Sequence, residues 1–235
     1  MKEFYPLGIL AGMGPYSTAP FINNVLNACR KLYGAKSDID FPHLIIYSLP
    51  TPYHPEDNST DTEIVKCLEM GINSLIKVGA KIIAVPCNSV HRFYDEMKKI
   101  SSVPVLNIID ETVSKVQSNK APVCILATRS TIEAELYQSK LKSQQKEIFW
   151  NEELQKYVDS LIASLKAVGL NEVTLNIWKN IENILHKNNV NEIIIGCTDL
   201  FFCAEQSRTL KFYDSSVFLA EKLVKEYMAN TKIVI

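Results

Sequence analysis

The stretch KIIAVPCNSVHRF, residues 81–93, reads as a buried β-strand that runs straight into a helical turn. Its near-continuous apolar run, Ile82–Val85, fits a strand covered on both faces, as strands of parallel sheets are. Cys87 then falls just past the strand's carboxyl end, where open parallel sheets bind ligands. Asn88 and Ser89 are good N-cap residues, and the helix start behind them offers N–H groups to an anion. The same field favours a thiolate over a thiol, lowering a pKa that is about 8.5 in a free cysteine. A second stretch, NEIIIGCTDLFF at residues 191–202, repeats the arrangement with Cys197 and Thr198, 110 residues further along. A core thiol beside a chance capping residue is the plain alternative for either site alone. Two matching contexts argue for a shared task.

Working outward, β-branched runs alternate with amphipathic helical patterns almost throughout. Strands are expected at Pro6–Leu10, Leu44–Tyr47, Ile82–Val85, Val103–Ile108, Val123–Ala127, Glu147–Trp150 and Glu192–Ile195. Between them, Ile64, Val65, Leu68, Ile72, Leu75 and Ile76 fall on one helical stripe, and Leu154, Val158, Leu161, Ile162 and Leu165 on another. Alternation with crossovers of this length means α/β, with two similar domains of mainly parallel sheets flanked by helices. The series restarts near Pro122, after a polar stretch, residues 110–122, that reads as a helix and a turn. The domains are therefore drawn as 1–112 plus 213–235, carrying Cys87, and 113–212, carrying Cys197, with an active site expected in the cleft between them.

Composition excludes several classes. Lys plus Arg number 25 against 26 for Asp plus Glu, so the chain lacks the electrostatic footprint of a nucleic-acid binder. No run of about 20 apolar residues offers a membrane span. The opening MKEFYPLGILAGM carries Glu3 and is broken by Gly and Pro, which favours a first strand of a cytoplasmic protein over a signal peptide. Six cysteines without a C-x-x-C pair, and four histidines without ligand spacing, point away from a disulfide scaffold or structural zinc. Three of only eight glycines, Gly8, Gly12 and Gly14, lie in strand one and the turn after it, marking a ligand-facing loop. Ser17 replaces the third glycine of a dinucleotide fingerprint, and no G-x-x-x-x-G-K-[ST] is present, so neither nucleotide site is expected.

Equivalent thiols in two half-domains fit one reaction in particular. A base on one side of a carbon and an acid on the other can remove a proton and return it to the opposite face. That is 1,1-proton transfer, or racemisation. One sulfur must be thiolate while the other is thiol, so the pair titrates as a coupled system. Polar groups around each cysteine would hold the substrate carboxylate and spread the carbanion's charge.

Jointly, GILAGMGP (8–15), PCNSVH (86–91), LATRSTIE (126–133) and GCTDL (196–200) resemble the cofactor-independent aspartate/glutamate racemases over nearly the whole chain, closest to the aspartate racemase branch. Glutamate racemases of the cell-wall pathway look less similar, with Asp-Ser-Gly where this chain has Gly12-Met13-Gly14. The resemblance implies an amino-acid racemase, often a homodimer, that works on a small amino acid without pyridoxal phosphate, metal or nucleotide. It implies Cys87 and Cys197 as the acid/base thiols, Cys87 acting by analogy on the D-enantiomer and Cys197 on the L-enantiomer. Met13, Asn88, Ser89, Val90, Thr131 and Thr198 match positions that line the substrate, and Lys166 resembles the lysine that meets its carboxylate. A solvated helix residue is the alternative for Lys166. Asp199 stands where the family usually has Glu, either keeping Cys197 protonated at rest, positioning it, or simply capping.

One departure concerns the substrate. Aspartate racemases read I-P-D-R-T after strand two, and that Arg recognises the acidic side chain. Here residues 49–58 read LPTPYHPEDN, and only Arg30, Arg92, Arg129 and Arg208 occur anywhere. Losing a bidentate guanidinium is not conservative. Tyr53 and His54 could replace it by hydrogen bonding, or belong to a Pro-stiffened surface loop. Aspartate, glutamate or a related amino acid is the expected substrate. The alternatives are a maleate isomerase or decarboxylase of the same superfamily, or an inactive ligand-binding homologue.

Overall fold

Five consecutive buried residues, Leu7–Ala11, form strand β1 at the centre of a small parallel sheet. The computed structural model describes residues 4–51, 61–117 and 121–231. The chain divides into two compact units, Met1–Ile108 with Ser216–Ile235, and Ile109–Ser215.

In the first unit, helix α1 (Thr18–Tyr33) leads to β2 (Leu44–Ser48), and α2 (Asp61–Lys77) leads to β3 (Ile82–Ala84). The order is β2-β1-β3, all parallel, with Leu7 opposite both Leu44 and Ile82. The α2 stripe behaves as its spacing predicts. Ile64, Leu68, Ile72 and Leu75 are buried, while Val65 and Ile76 pack at the margin. Each fully buried aliphatic side chain contributes about 1.5–3 kcal/mol, so these four supply a large part of what holds the helix to the sheet. A turn at Ser89–Phe93 then runs into α3 (Tyr94–Ile100).

The strand expected at Val103–Ile108 does not form. Only Val105 bridges to Ile83, with Ile83 N–H donating to Pro104 O (2.9 Å) and Leu106 N–H to Ile83 O (2.9 Å). Pro104 has no N–H for a ladder, and Ile108 already begins helix α4 (Ile108–Val113).

The second unit holds β4 (Val123–Leu126), α5 (Arg129–Glu133), α6 (Gln138–Ser143), β5 (Ile148–Phe149), α7 (Glu152–Val168), α8 (Glu172–Lys187), β6 (Glu192–Ile195), α9 (Cys203–Gln206) and β7 (Lys211–Asp214). Its parallel sheet has the order β5-β4-β6-β7. Helix α7 starts where Asn151 Oδ1 accepts from Leu154 N–H (2.8 Å), and α8 where Asn171 Oδ1 accepts from Val173 and Thr174 (2.9 and 3.1 Å). Their apolar stripes, with Leu154, Val158, Leu161, Trp178, Ile181 and Leu185, close over the sheet.

The last helix, α10 (Ser215–Thr231), packs in the first unit. There Asn24 Nδ2 donates to Ser216 Oγ (3.0 Å) and Lys31 Nζ pairs with Glu221 Oε1 (2.7 Å). The fold class is α/β, with parallel sheets flanked by helices. Among the described residues, no helix is long and apolar enough to cross a membrane.

Candidate active site

In the first unit, the carboxyl ends of β1 and β3 lie side by side, since Ile9 pairs with Ala84. Gly12, just past β1, has φ +96° and approaches Leu49 so closely that a Cβ would sit 2.5 Å from the Leu49 nitrogen. Only glycine fits there. Met13 follows it and packs, partly buried, against the same apolar cluster as Cys87.

The Cys87 N–H donates to Val85 O (2.8 Å), a tight turn that ends the strand and leaves the side chain half-buried. Its Sγ lies 3.6 Å from Ser89 Oγ. A hydroxyl at that distance can donate to a thiolate or accept from a thiol. Asn88 and Val90 are buried, with Asn88 at the start of the turn in helical geometry; its side chain makes no capping hydrogen bond. The expected cap at this turn is therefore absent, and Ser89 faces the sulfur.

His91 is the residue that sequence reasoning passed over here. It is 4% exposed, and its Nδ1 lies 2.7 Å from Cys87 O. A carbonyl only accepts, so Nδ1 carries a proton. Nε2 lies between the Ile108 N–H (3.3 Å) and the Leu106 carbonyl (3.4 Å). Tyr94 stacks on the ring and donates its hydroxyl to Val105 O (3.0 Å). Tyr53 and His54 lie outside the described residues.

In the second unit, β4 and β6 end together, Leu126 beside Ile195, and Gly196 N–H donates to Leu126 O (2.8 Å). Cys197 follows in extended backbone and opens a turn over Thr198–Leu200, with Leu200 N–H returning to Cys197 O (3.0 Å). Its thiol is 8% exposed and borders the apolar core; Thr198 beside it is buried. Cys203 lies in the same core, and its thiol is pushed well above the ordinary range, by burial first and by Cys197 second.

Thr131 is 1% exposed and belongs to the cap of α5. The Thr128 and Thr131 hydroxyls are 2.9 Å apart, and Thr128 Oγ1 also accepts from Thr131 N–H. This turn sits at the end of β4, adjacent to the strand that leads to Cys197. Lys166, in the last turn of α7, reaches to 3.9 Å from Asp199 Oδ2. Burial raises the Asp199 carboxyl above its ordinary value, and the Lys166 ammonium opposes that shift.

Two further groups brace this end of the sheet. Gln155, 1% exposed, donates to Ala127 O (3.1 Å) and Asp159 (2.7 Å) and accepts from Trp150 (3.3 Å). Arg129 binds Asp159 (2.8 Å) and Glu152 (2.9 Å), and its hydrogen bonds hold the Glu152 carboxyl below the usual carboxylate range. Arg92 of the first unit pairs with Asp61 (2.7 Å). Both guanidinium groups are thus already matched by carboxylates. Among the described residues, no three His, Cys, Asp or Glu side chains gather to hold a metal ion.

Each unit therefore carries a cysteine two or three residues past the carboxyl end of a parallel strand, with a hydroxyl residue one or two positions further on. Known proteins resemble this chain over nearly its whole length. A family model described as Asp/Glu/Hydantoin racemase matches residues 10–218. The broad specificity amino-acid racemase RacX of Bacillus subtilis (strain 168) is 37% identical over 224 residues, covering 95% of this chain and 98% of that protein. The aspartate racemase of Picrophilus torridus superposes with a TM-score of 0.80 at 26% identity, over 95% of this chain and 94% of that one. An aspartate racemase homologue from Pyrococcus horikoshii OT3 gives a TM-score of 0.75 at 24% identity, over 97% and 99% of the two chains, a likeness of fold alone. With a match that spans both units and both cysteine turns, this chain belongs to the Asp/Glu/hydantoin racemase family.

Proposed function

We propose that this amino-acid racemase inverts its substrate by 1,1-proton transfer between two thiols, Cys87 and Cys197. The observation that carries the reading is the recurrence of one arrangement, a cysteine at a strand's carboxyl end beside a hydroxyl residue, once in each unit. In one direction the Cys87 thiolate takes the Cα proton; the C–H bond breaks and an S–H bond forms. The electron pair left on Cα delocalises into the substrate carboxylate, where backbone N–H groups and hydroxyls offset its charge. The Cys197 thiol delivers its proton to the opposite face and becomes thiolate. The reverse direction exchanges the two roles, as microscopic reversibility requires.

In this reading the domains, 1–112 with 213–235 and 113–212, contribute one thiol each. Met13, Asn88, Ser89, Val90, Thr131 and Thr198 line the substrate. Lys166 stands by for its carboxylate, and Asp199 tunes or positions Cys197. Tyr53 and His54 are assigned to the side-chain pocket. The family resemblance also supports a homodimer, and a cytoplasmic location belongs to the same proposal.

The substrate range is broader than aspartate and glutamate. Arg92 and Arg129 are both committed to carboxylates of the protein, and residues 49–58 hold no arginine. A pocket without a dedicated guanidinium loses the strong preference for an acidic side chain. The breadth named for the Bacillus subtilis relative supports the same view.

The test is incubation with each L-amino acid in deuterated water. Deuterium at Cα with loss of optical activity is the expected result for several substrates, neutral ones included. Carbon dioxide release would make the protein a decarboxylase. No exchange with any amino acid would make it a binding homologue.

A further inference from the structure

We infer that His91 is a positioning residue for the racemase reaction, fixing the main chain of Cys87 and so the direction of its sulfur. The inference rests on the two-thiol reading. Both peptide groups of Cys87 are tied. Its N–H is spent on Val85 O at 2.8 Å, and its carbonyl accepts from His91 Nδ1 at 2.7 Å, the shorter of the two. With both ends held, the Cα–Cβ bond keeps its direction, and Sγ is presented 3.6 Å from Ser89 Oγ. The imidazole is itself held from the far side, where Nε2 meets the Ile108 N–H at 3.3 Å and the Leu106 carbonyl at 3.4 Å. Its own backbone N–H returns to Asn88 O (3.0 Å), which closes the turn around the thiol. A general base must sit within a fraction of an ångström of the proton it removes, and a group misplaced by about 1 Å costs about 10²-fold in rate.

A buried histidine could instead tie residues 106–108 to the turn, with no bearing on the sulfur. The two bonds of the ring separate these roles. An asparagine amide nitrogen overlies Nδ1 and keeps the bond to Cys87 O, whereas a glutamine amide overlies Nε2 and keeps only the side facing Leu106 and Ile108. His91→Gln is expected to lower kcat by about 10²-fold with KM changed less than about threefold. His91→Asn should restore kcat to within about fivefold of wild type. The iodoacetamide labelling rate of Cys87 relative to Cys197, read by peptide mass spectrometry, should change in His91→Gln and not in His91→Asn.

Equal kcat losses in both variants, or kcat preserved in His91→Gln while its melting temperature falls, would overturn the inference. Should His91→Gln fail to fold, His91→Asn decides alone. Near-wild-type kcat supports the inference, and a loss of about 10²-fold in the folded protein refutes it. Cys87→Ala is assayed beside them. If it is inactive while His91→Gln is fully active, only the positioning role falls; if it still racemises, the two-thiol reading falls and takes this inference with it.

Discussion

Lys166 Nζ lies 3.9 Å from Asp199 Oδ2, with the carboxylate buried and the ammonium half-exposed. At that separation the pair gains little, while the cost of burying the charge stays with Asp199. Burial accordingly raises its carboxyl above 3.8, with Lys166 pulling the other way. A carboxyl raised by folding holds its proton more tightly in the folded state. Its contribution to stability is complete below pH 3.8 and is lost as pH rises through the folded value. Asp199→Asn should therefore raise the melting temperature at pH 8 by about 2–4 °C, and the gain should shrink toward pH 4. A lower melting temperature at pH 8 would mean that the attraction to Lys166 outweighs burial.

The same lysine has an expected kinetic signature. If it receives a substrate carboxylate beyond the one every amino acid carries, Lys166→Ala raises KM for aspartate and glutamate by about tenfold and leaves neutral substrates within about twofold. Steady-state assays on one acidic and one neutral substrate check this. An equal change on both removes the role.

Neither thiol can serve both faces of a carbon. Cys87→Ala and Cys197→Ala are each expected to lower racemisation by at least about 10³-fold while circular dichroism stays that of the wild type. Polarimetry on either enantiomer reads the result, and a single variant near wild-type rate refutes the two-base assignment.

Thiol chemistry should follow burial. Cys124 and Cys203 are 0% exposed, and burial pushes both thiols upward, whereas Cys87 is half-buried at a strand end. At pH 8, iodoacetamide is expected to modify Cys87 about 10²-fold faster than Cys124 or Cys203, read by peptide mass spectrometry. Comparable rates at the three sites would contradict the packing described here.

Gly12 offers a test of the loop that follows β1. Its φ of +96° and the 2.5 Å approach to the Leu49 nitrogen leave no room for a methyl group. Gly12→Ala should cost at least about 2 kcal/mol of stability, seen as a lower midpoint in urea. No change would mean that the β1 turn and Leu49 can part without penalty.

Much of this was readable from the chain alone, for physical reasons that differ by element. Glu192–Ile195 was legible to the residue because a run buried on both faces has no polar interruption and ends in glycine. Val103–Ile108 misled because an apolar run states burial and not backbone form, and Pro104 limits it to a single bridge. Strand β7 escaped notice because it is four residues long with charges at both ends, Lys211 and Asp214. The placement of Cys87 and Cys197 just past strand ends was legible through their repeated context. The contacts of His91 were not, since its partners are backbone atoms of residues 87, 106 and 108, and a carbonyl or an N–H leaves no mark on composition. Thr131 was visible as a hydroxyl after a strand, but its engagement with Thr128 was hidden.

Helix α10 follows β7 yet completes the first unit, held there through Asn24 and Lys31. The second unit is thus an insertion, joined to its host by two covalent crossings. During synthesis the host's first 108 residues must wait, short of one helix, until the inserted unit has been translated. That order lets Ile109–Ser215 mature before its host is complete.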